Sequence, residues 1–454
     1  MTMILTDLPT AIKRSDFASD FLWGVSTSAY QIEGAAAVDG RVPSIWDTFS
    51  ATPGKIRDGS TGAVACDHYH RWEEDLDLAQ SMGLNVYRFS IAWTRIFNGV
   101  DAEPNAKGLA FYSKLVDGML ARGLQPWCTL YHWDLPQYIQ DQGGWNNRDT
   151  IKLYLQYVDV ITRHLGDRIK HWITHNEPWC TAMHGNWDGM HAPGNKSLPL
   201  ALQVCHNVLV SHGHAVPLIR ANVPDAKVGI ALSLHPVKPA SDSAEDIAAV
   251  SRHDALRNRW FLDVLYGRGY PAEALALVGA DAPVIEPGDM EAIAVPCDFL
   301  GVNYYFPEEV ANAPEDYPLR TRIVYPQDRQ RTDFGWEVSP DGMVTLLERV
   351  ARDYPTGDLY VTENGSSYDD HLEGGVVQDT ARRDYLIRHL AAMRDAIAAG
   401  SKIKGYFAWS LLDNFEWAEG YLRRFGLTYI DYATQRRIVK QSGEWYSAFV
   451  RGKN

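Results

Sequence analysis

The chain has 454 residues, with 43 Lys and Arg against 57 Asp and Glu for a net charge of −14, and it is 46% apolar and 22% charged. Composition of this kind is globular and excludes disordered, collagenous and coiled-coil chains. The acid excess opposes binding to phosphate backbones and anionic lipid, so neither nucleic acid nor a membrane is expected as a partner.

In chain order, residues 1–20 interleave Asp7, Lys13, Arg14 and Asp16 and lack the apolar run of about 7–15 residues that a secretory signal requires. The expected location is cytoplasmic, with residues 1–16 as a peripheral segment. Eight short β-rich runs then follow at 21–25, 84–90, 125–131, 169–175, 228–234, 298–303, 358–362 and 405–409. Between them the spacing leaves room for helices, and helical periodicity is plain over 149–165, 199–219 and 381–399, the last stopped by Gly400. Strands alternating with helices imply parallel pairing, and eight such units predict a single (β/α)8 TIM barrel over residues 1–454, with extended loops on its C-terminal face. A doubly wound sheet would show a Gly-x-Gly-x-x-Gly turn after its first strand, and none follows residue 25. The stretch 307–337, rich in Pro, Asp and Arg, exceeds an ordinary connection and is expected to be a functional loop at the catalytic face. Cys66, Cys128, Cys180, Cys205 and Cys297 are odd in number and contain no C-x-x-C pair, which predicts reduced thiols.

Two glutamates occupy equivalent contexts. The fourth run leads into Asn176-Glu177-Pro178 and the seventh into Glu363-Asn364-Gly365, each a strand end followed by a chain breaker. Side chains at the carboxyl ends of barrel strands point into the mouth, so carboxyl groups from strands four and seven can converge across it. Glycoside hydrolysis needs such a pair, one to protonate the leaving oxygen and one to attack or to activate water.

Around these glutamates the residues resemble glycoside hydrolase family 1, the β-glucosidase family. The matching segments are 28–34 (SAYQIEG), 87–90 (YRFS), 131–136 (YHWDLP), Asn176-Glu177-Pro178, 303–305 (NYY), 362–365 (TENG) and 409–427 (WSLLDNFEWAEGYLRRFGL). The resemblance implies a retaining double displacement on the terminal β-D-glucosyl unit of oligosaccharides or of aryl and alkyl glucosides, with β-galactosides and β-fucosides as further candidates. It assigns Glu177 as acid/base and Glu363 as nucleophile. Gln31, His132, Asn176, Glu416 and Trp417 match residues that hydrogen-bond the sugar hydroxyls. Trp409 matches the platform beneath the ring, Phe425 lines the same pocket, and Trp133 belongs to the same cleft. Arg88, Asn303 and Tyr305 match groups around the nucleophile, and Trp336 matches an aromatic at the entrance. The expected partner is a small β-glycoside, no cofactor or metal is expected, and self-association is left open.

The chemistry suits those roles. A cation at Arg88 and a hydroxyl at Tyr305 would favour the anion of Glu363, and that anion would in turn raise the proton affinity of Glu177. Taken singly, each of these residues has a plain structural alternative, the aromatics as core and His132 as a satisfied buried histidine. Two rival functions follow from the same segments. A 6-phospho-β-glycosidase is disfavoured because Glu416 would repel phosphate, and a non-catalytic sugar-binding relative is disfavoured because both glutamates are present.

Two positions depart from the family pattern. His175 stands where Phe or Asn is usual, and strand alternation would put it on the face of Glu177, where it could tune the acid. The favoured reading is a packed residue with a local hydrogen bond. Gly185-Asn186 replaces a common Gly-Tyr within 183–194, a segment expected to border the leaving-group side. Cys205, His206, His212 and His214 are not expected to bind a metal, since residues two apart on a helix face different ways.

Overall fold

Residues 12–453 are described by the computed structural model. Its eight central strands are β1 (Leu22–Ser26), β2 (Val86–Ser90), β3 (Gln125–Tyr131), β4 (His171–Asn176), β5 (Lys227–Ser233), β6 (Phe299–Asn303), β7 (Asp358–Asn364) and β8 (Ile403–Trp409). They pair in parallel in the order 1-8-7-6-5-4-3-2 and close into a barrel. These strands read as nearly continuous apolar runs because a parallel barrel is covered on both faces. Their bounds fall within a residue or two of the expected ones, the ordinary uncertainty of strand ends.

The barrel is filled rather than hollow. Leu22, Val86, Trp127, Ile173, Ala231, Phe299, Tyr360 and Phe407, one from each strand, form a separate inner cluster. At its centre the Trp127 ring lies 4.7 Å from Tyr360, 5.0 Å from Phe407 and 5.1 Å from Phe299. Part of the chain's aromatic surplus is this plug, which gives the site above it a rigid floor. Outside the strands, the helices Asp149–Leu165, Leu198–Asn222 and Thr380–Ala398 cover the barrel. The second begins where the Ser197 side chain accepts the Leu200 N–H, a cap that satisfies one of its unpaired first-turn donors. Residues 1–11 of the expected N-terminal segment lie outside the described residues, while Ile12 and Phe17 are already buried in the main core.

Two expectations are corrected. The stretch 307–337 is not an irregular loop throughout. Its strands Glu308–Asn312 and Thr321–Val324 pair antiparallel, and the first also pairs with Val237–Pro239, building a three-stranded sheet beside the barrel mouth. His175 does not share a face with Glu177. The register of β4 against β5 shifts between Ile173 and Asn176, a bulge that interrupts the alternation. Ile173 therefore points into the barrel, whereas Thr174 and His175 both meet the helix Leu198–Asn222, Thr174 through His212 at 2.7 Å and His175 through Ser211 at 2.9 Å. His175 is thus a packed residue with a local partner, and burial holds its imidazole well below the usual histidine range.

No helix among the described residues is long and apolar enough to cross a membrane. The five cysteines are free thiols, four of them buried.

Candidate active site

Both glutamates stand at irregular strand ends, Glu177 just past its strand and Glu363 in the last turn of pairing of its own. Glu177 follows the bulge of β4 with a left-handed φ of 49°, and Glu363 lies where β7 shifts register against β6. Such shifts re-aim side chains next to a site, here toward one cleft. After Glu363 the chain runs so close to the next strand that a Cβ on Gly365 would sit 1.9 Å from the Trp409 carbonyl oxygen. Only glycine fits there, which explains the Glu-Asn-Gly order.

A continuous hydrogen-bonded chain joins the two carboxyl groups. Arg88, wholly buried on β2, donates through Nη1 to Glu363 Oε1 at 2.6 Å and through Nη2 to Asn176 Oδ1 at 2.7 Å. Asn303 Nδ2 donates both to that same Asn176 oxygen at 3.0 Å and to Glu177 Oε1 at 2.7 Å. Tyr305 donates its hydroxyl proton to Glu363 Oε2 at 2.8 Å, and the Thr362 hydroxyl donates to Asn303 Oδ1 at 2.6 Å. Four barrel strands, β2, β4, β6 and β7, thus fix the two acids in one frame.

Burial governs the proton affinity of Glu363 and Glu416. Burial pushes Glu363 up to about 7, Arg88 opposes it with charge and a hydrogen bond, and Glu177 adds to it. Here burial outweighs the cation that was expected to keep this carboxylate low. Burial, with Glu363 as the next cause, pushes Glu416 up to about 8. Burial thus favours the protonated form of Glu416 in the unliganded site and weakens the charge on which the expected repulsion of phosphate rests. Such a group would still meet the charges of Glu363, Glu177 and Glu419, which already act on Glu416.

The cleft above this frame has a volume of about 640 Å³, and His132, Trp133, Tyr305, Trp336, Trp409, Glu416, Trp417 and Phe425 all line it beside Glu177 and Glu363. His132 Nε2 accepts from Asn176 Nδ2 at 3.0 Å, which assigns the proton to Nδ1. That Nδ1 and Glu416 Oε2 are buried with no hydrogen-bond partner among the described residues, as are Nδ1 of His191 and of His235 in the same lining. Trp133 anchors itself through Nε1 to the Asn176 carbonyl at 2.8 Å and packs 4.5 Å from Trp417.

Arg88, Asn176 and Asn303 lie beneath the lining. Gln31 is also set back: Ser28 donates to its oxygen at 2.6 Å, and its amide donates to Asn414 at 3.0 Å and to the Phe415 carbonyl at 2.9 Å. In this arrangement Gln31 braces the loop that carries Glu416. Asn186 also turns inward, accepting from Asn195 at 2.9 Å and donating to the Thr181 carbonyl at 3.1 Å, while its neighbours His184, Trp187 and Met190 border the cleft. His206 engages Tyr270 and Asp289, each at 2.9 Å.

Sequence reasoning missed two features. Cys180 donates its thiol to Glu177 Oε2 at 2.9 Å. The signal was its position three residues on, one helical turn past the Glu-Pro step. The cluster of Arg257, His253 and Glu308 carried no local pattern, because its members come from distant segments. Glu308 accepts from Arg257 at 3.1 Å and from His253 at 2.7 Å, and Arg257 lies 4.0 Å over the ring of Trp179.

Comparison with known proteins places the chain and its fold. β-Glucosidase A of Thermotoga maritima is 45% identical over 437 residues, covering 96% of this chain and 98% of the relative. A bifunctional β-D-glucosidase/β-D-fucosidase of Bifidobacterium breve is 42% identical over 458 residues, covering 96% and 98%. The solved structure of the Thermotoga maritima β-glucosidase in complex with glucoimidazole superposes with a TM-score of 0.94 at 44% identity, covering 96% of this chain and 99% of that one. The family model described as glycosyl hydrolase family 1 matches residues 13–454, so the barrel with its paired strand-end glutamates belongs to that family.

Proposed function

We propose that the chain is a retaining β-glucosidase acting as one catalytic domain on the terminal non-reducing β-D-glucosyl unit of its substrates. The observation that carries this reading is the frame linking Glu363, Arg88, Asn176, Asn303 and Glu177, which sets two carboxyl groups with different surroundings before one cleft. Glu363, ionised and held by Arg88 and Tyr305, attacks the anomeric carbon. Glu177 gives its proton to the glycosidic oxygen as that bond breaks, leaving a covalent glycosyl-enzyme. Glu177 then takes a proton from water, which attacks the same carbon and releases the sugar and the Glu363 carboxylate.

The remaining roles follow from chemistry. Trp409 offers a flat apolar face to the C–H face of the pyranose. His132 Nδ1 and Glu416 Oε2 hydrogen-bond ring hydroxyls, and a sugar lacking the matching hydroxyl would leave them unpaired, a strong basis for discrimination. β-Fucosides and β-galactosides are secondary substrates in this reading, the first supported by the name of the Bifidobacterium breve relative. The natural setting is the cytoplasm.

The test is a panel of aryl β-D-glycosides with wild type and Glu363→Gly. Wild type should release the phenol from the glucoside with β-configured sugar as first product, the variant should lose turnover by several orders of magnitude, and added azide should restore it. Unchanged turnover in the variant would refute the assignment.

A further inference from the structure

The turn after β4 sets a thiol against Glu177. Glu177 takes a left-handed φ of 49°, its N–H donates to the Ala231 carbonyl at 2.8 Å, and the Cys180 N–H closes the turn on the Glu177 carbonyl at 2.9 Å. With the backbone pinned on both sides, Cys180 opens the helical turn Cys180–His184, and its Sγ reaches Glu177 Oε2 at 2.9 Å. The thiol is buried, yet it lines the cleft beside Glu177. Burial, with the charge of Glu177 as the next cause, pushes it well above the usual thiol range, so it keeps its proton and acts as a donor.

The two oxygens of Glu177 are not equivalent. Asn303 gives amide protons to Asn176 Oδ1 at 3.0 Å and to Glu177 Oε1 at 2.7 Å, while its own oxygen accepts from Thr362, so the amide cannot turn over. With Oε1 committed to accepting, the acidic proton belongs on Oε2, where it can pass to a glycosidic oxygen. The thiol meets a remaining lone pair of Oε2, and among the described residues no other side chain donates there. As Glu177 gives its proton away, Oε2 becomes anionic and the S–H···O bond becomes charge-assisted, roughly twice as strong as a neutral one. An interaction that strengthens along the proton transfer favours the transition state over the bound substrate. The charged and titratable groups around the pair are Arg257 and Glu363, which act on the thiol, and Tyr305 and Glu416, which feel the charge of Glu177. None of them donates to Oε2, so replacing the thiol leaves their charges in place.

We propose that Cys180 is a positioning residue for the acid/base step, its S–H holding Oε2 of Glu177 toward the leaving oxygen and supporting the carboxylate formed there. The Oε2–H bond breaks as the O–H bond of the released alcohol forms, the electron pair of the broken glycosidic bond stays on that oxygen, and the thiol keeps its own proton throughout. This inference rests on the β-glucosidase reading, in which Glu177 is the acid.

The measurement is kcat/KM and its pH profile on two substrates, with wild type, Cys180→Val, Cys180→Ser and Glu177→Gln. One is 2,4-dinitrophenyl β-D-glucoside, whose phenolate departs without a proton, and the other is octyl β-D-glucoside, whose alkoxide needs one. Cys180→Val should lose about 2- to 10-fold on octyl glucoside, the worth of one ordinary hydrogen bond, and less than about 2-fold on the dinitrophenyl glucoside. Its alkaline limb on octyl glucoside should move up by about 0.3–1 pH unit, because a donor that favours the ionised acid is gone. Cys180→Ser keeps a donor and should restore both. Equal losses on the two substrates, a loss that serine does not restore, or an alkaline limb that stays or moves down would overturn the role of the thiol and leave Glu177 as the acid. Glu177→Gln should lose octyl glucoside by orders of magnitude and keep most of its efficiency on the dinitrophenyl glucoside. Wild-type turnover of octyl glucoside by that variant would overturn the acid assignment and the proposal together.

Discussion

Arg88 touches both halves of the site, with Nη1 on Glu363 and Nη2 on Asn176, so its charge and its geometry can be separated by substitution. Attack requires ionised Glu363, and burial has pushed that group up to about 7 against the pull of Arg88. The acid limb of kcat/KM should therefore fall away as pH drops through about 7. Arg88→Met removes the opposing cation, so the limb should move to higher pH, and loss of a charge-assisted hydrogen bond should lower kcat/KM roughly 10- to 150-fold. Tyr305→Phe should move the limb the same way by less, and pH–rate profiles of the three proteins would check both. At this scale the sequence was readable where chemistry is local. The two glutamates stood out because each ends a strand before a breaker, and Glu416, Trp417 and Phe425 because they share one motif. The thiol on Glu177 and the retreat of Gln31 from the cleft were not readable, since both depend on how segments far apart in sequence meet.

The elements matter through their irregularities. Strand alternation predicts faces only while the register is even, and β4 and β7 each slip immediately before the glutamate they carry. The bulge in β4 frees Asn176 and Glu177 to face the mouth and turns His175 to Ser211 on the covering helix. Its position could not be read from the residues, because bulges are set by neighbouring strands rather than by their own sequence. The rim sheet escaped for a similar reason, its strands Glu308–Asn312 and Thr321–Val324 being short and largely polar, with support from Val237–Pro239 far upstream. A direct consequence concerns His175→Phe. With its side chain directed away from Glu177, the alkaline limb of kcat/KM should not move. The cost should be one of stability, about 0.5–1.5 kcal/mol for the lost His175–Ser211 hydrogen bond, since the Ser211 hydroxyl keeps the Val208 carbonyl as its acceptor, read as a lower urea midpoint at unchanged slope. A displaced alkaline limb would show that the imidazole reaches the acid after all.

For the whole molecule, the barrel order was legible because parallel strands covered on both faces give apolar runs at regular intervals. The consequence of burying so many acids at its mouth was not. Glu363 at about 7, Glu416 at about 8 and Asp134, which burial pushes to about 7, all hold protons more tightly folded than unfolded. Groups of this kind stabilise the fold fully below the unfolded value near 4 and lose that contribution as pH rises through the folded one. Glu308 works the opposite way, held well below the carboxylate range by Arg257, His235 and His253 despite its burial, so its contribution is lost only on strong acidification. Stability should accordingly decline from about pH 5 to pH 7, where all three acids are ionised unfolded and protonated folded, with Glu416 alone carrying the decline on to about pH 8. Glu416→Gln removes one such proton. Between pH 5 and 8 its unfolding free energy should fall less steeply than that of wild type, by up to about 1.4 kcal/mol per pH unit. Urea titrations at pH 5.5, 6.5 and 7.5 on both proteins would measure the two slopes, and parallel slopes would refute the assignment. The same substitution should raise stability at pH 8 while weakening sugar binding, because the carboxyl that costs folding energy there has a buried oxygen without a hydrogen-bond partner in the cleft.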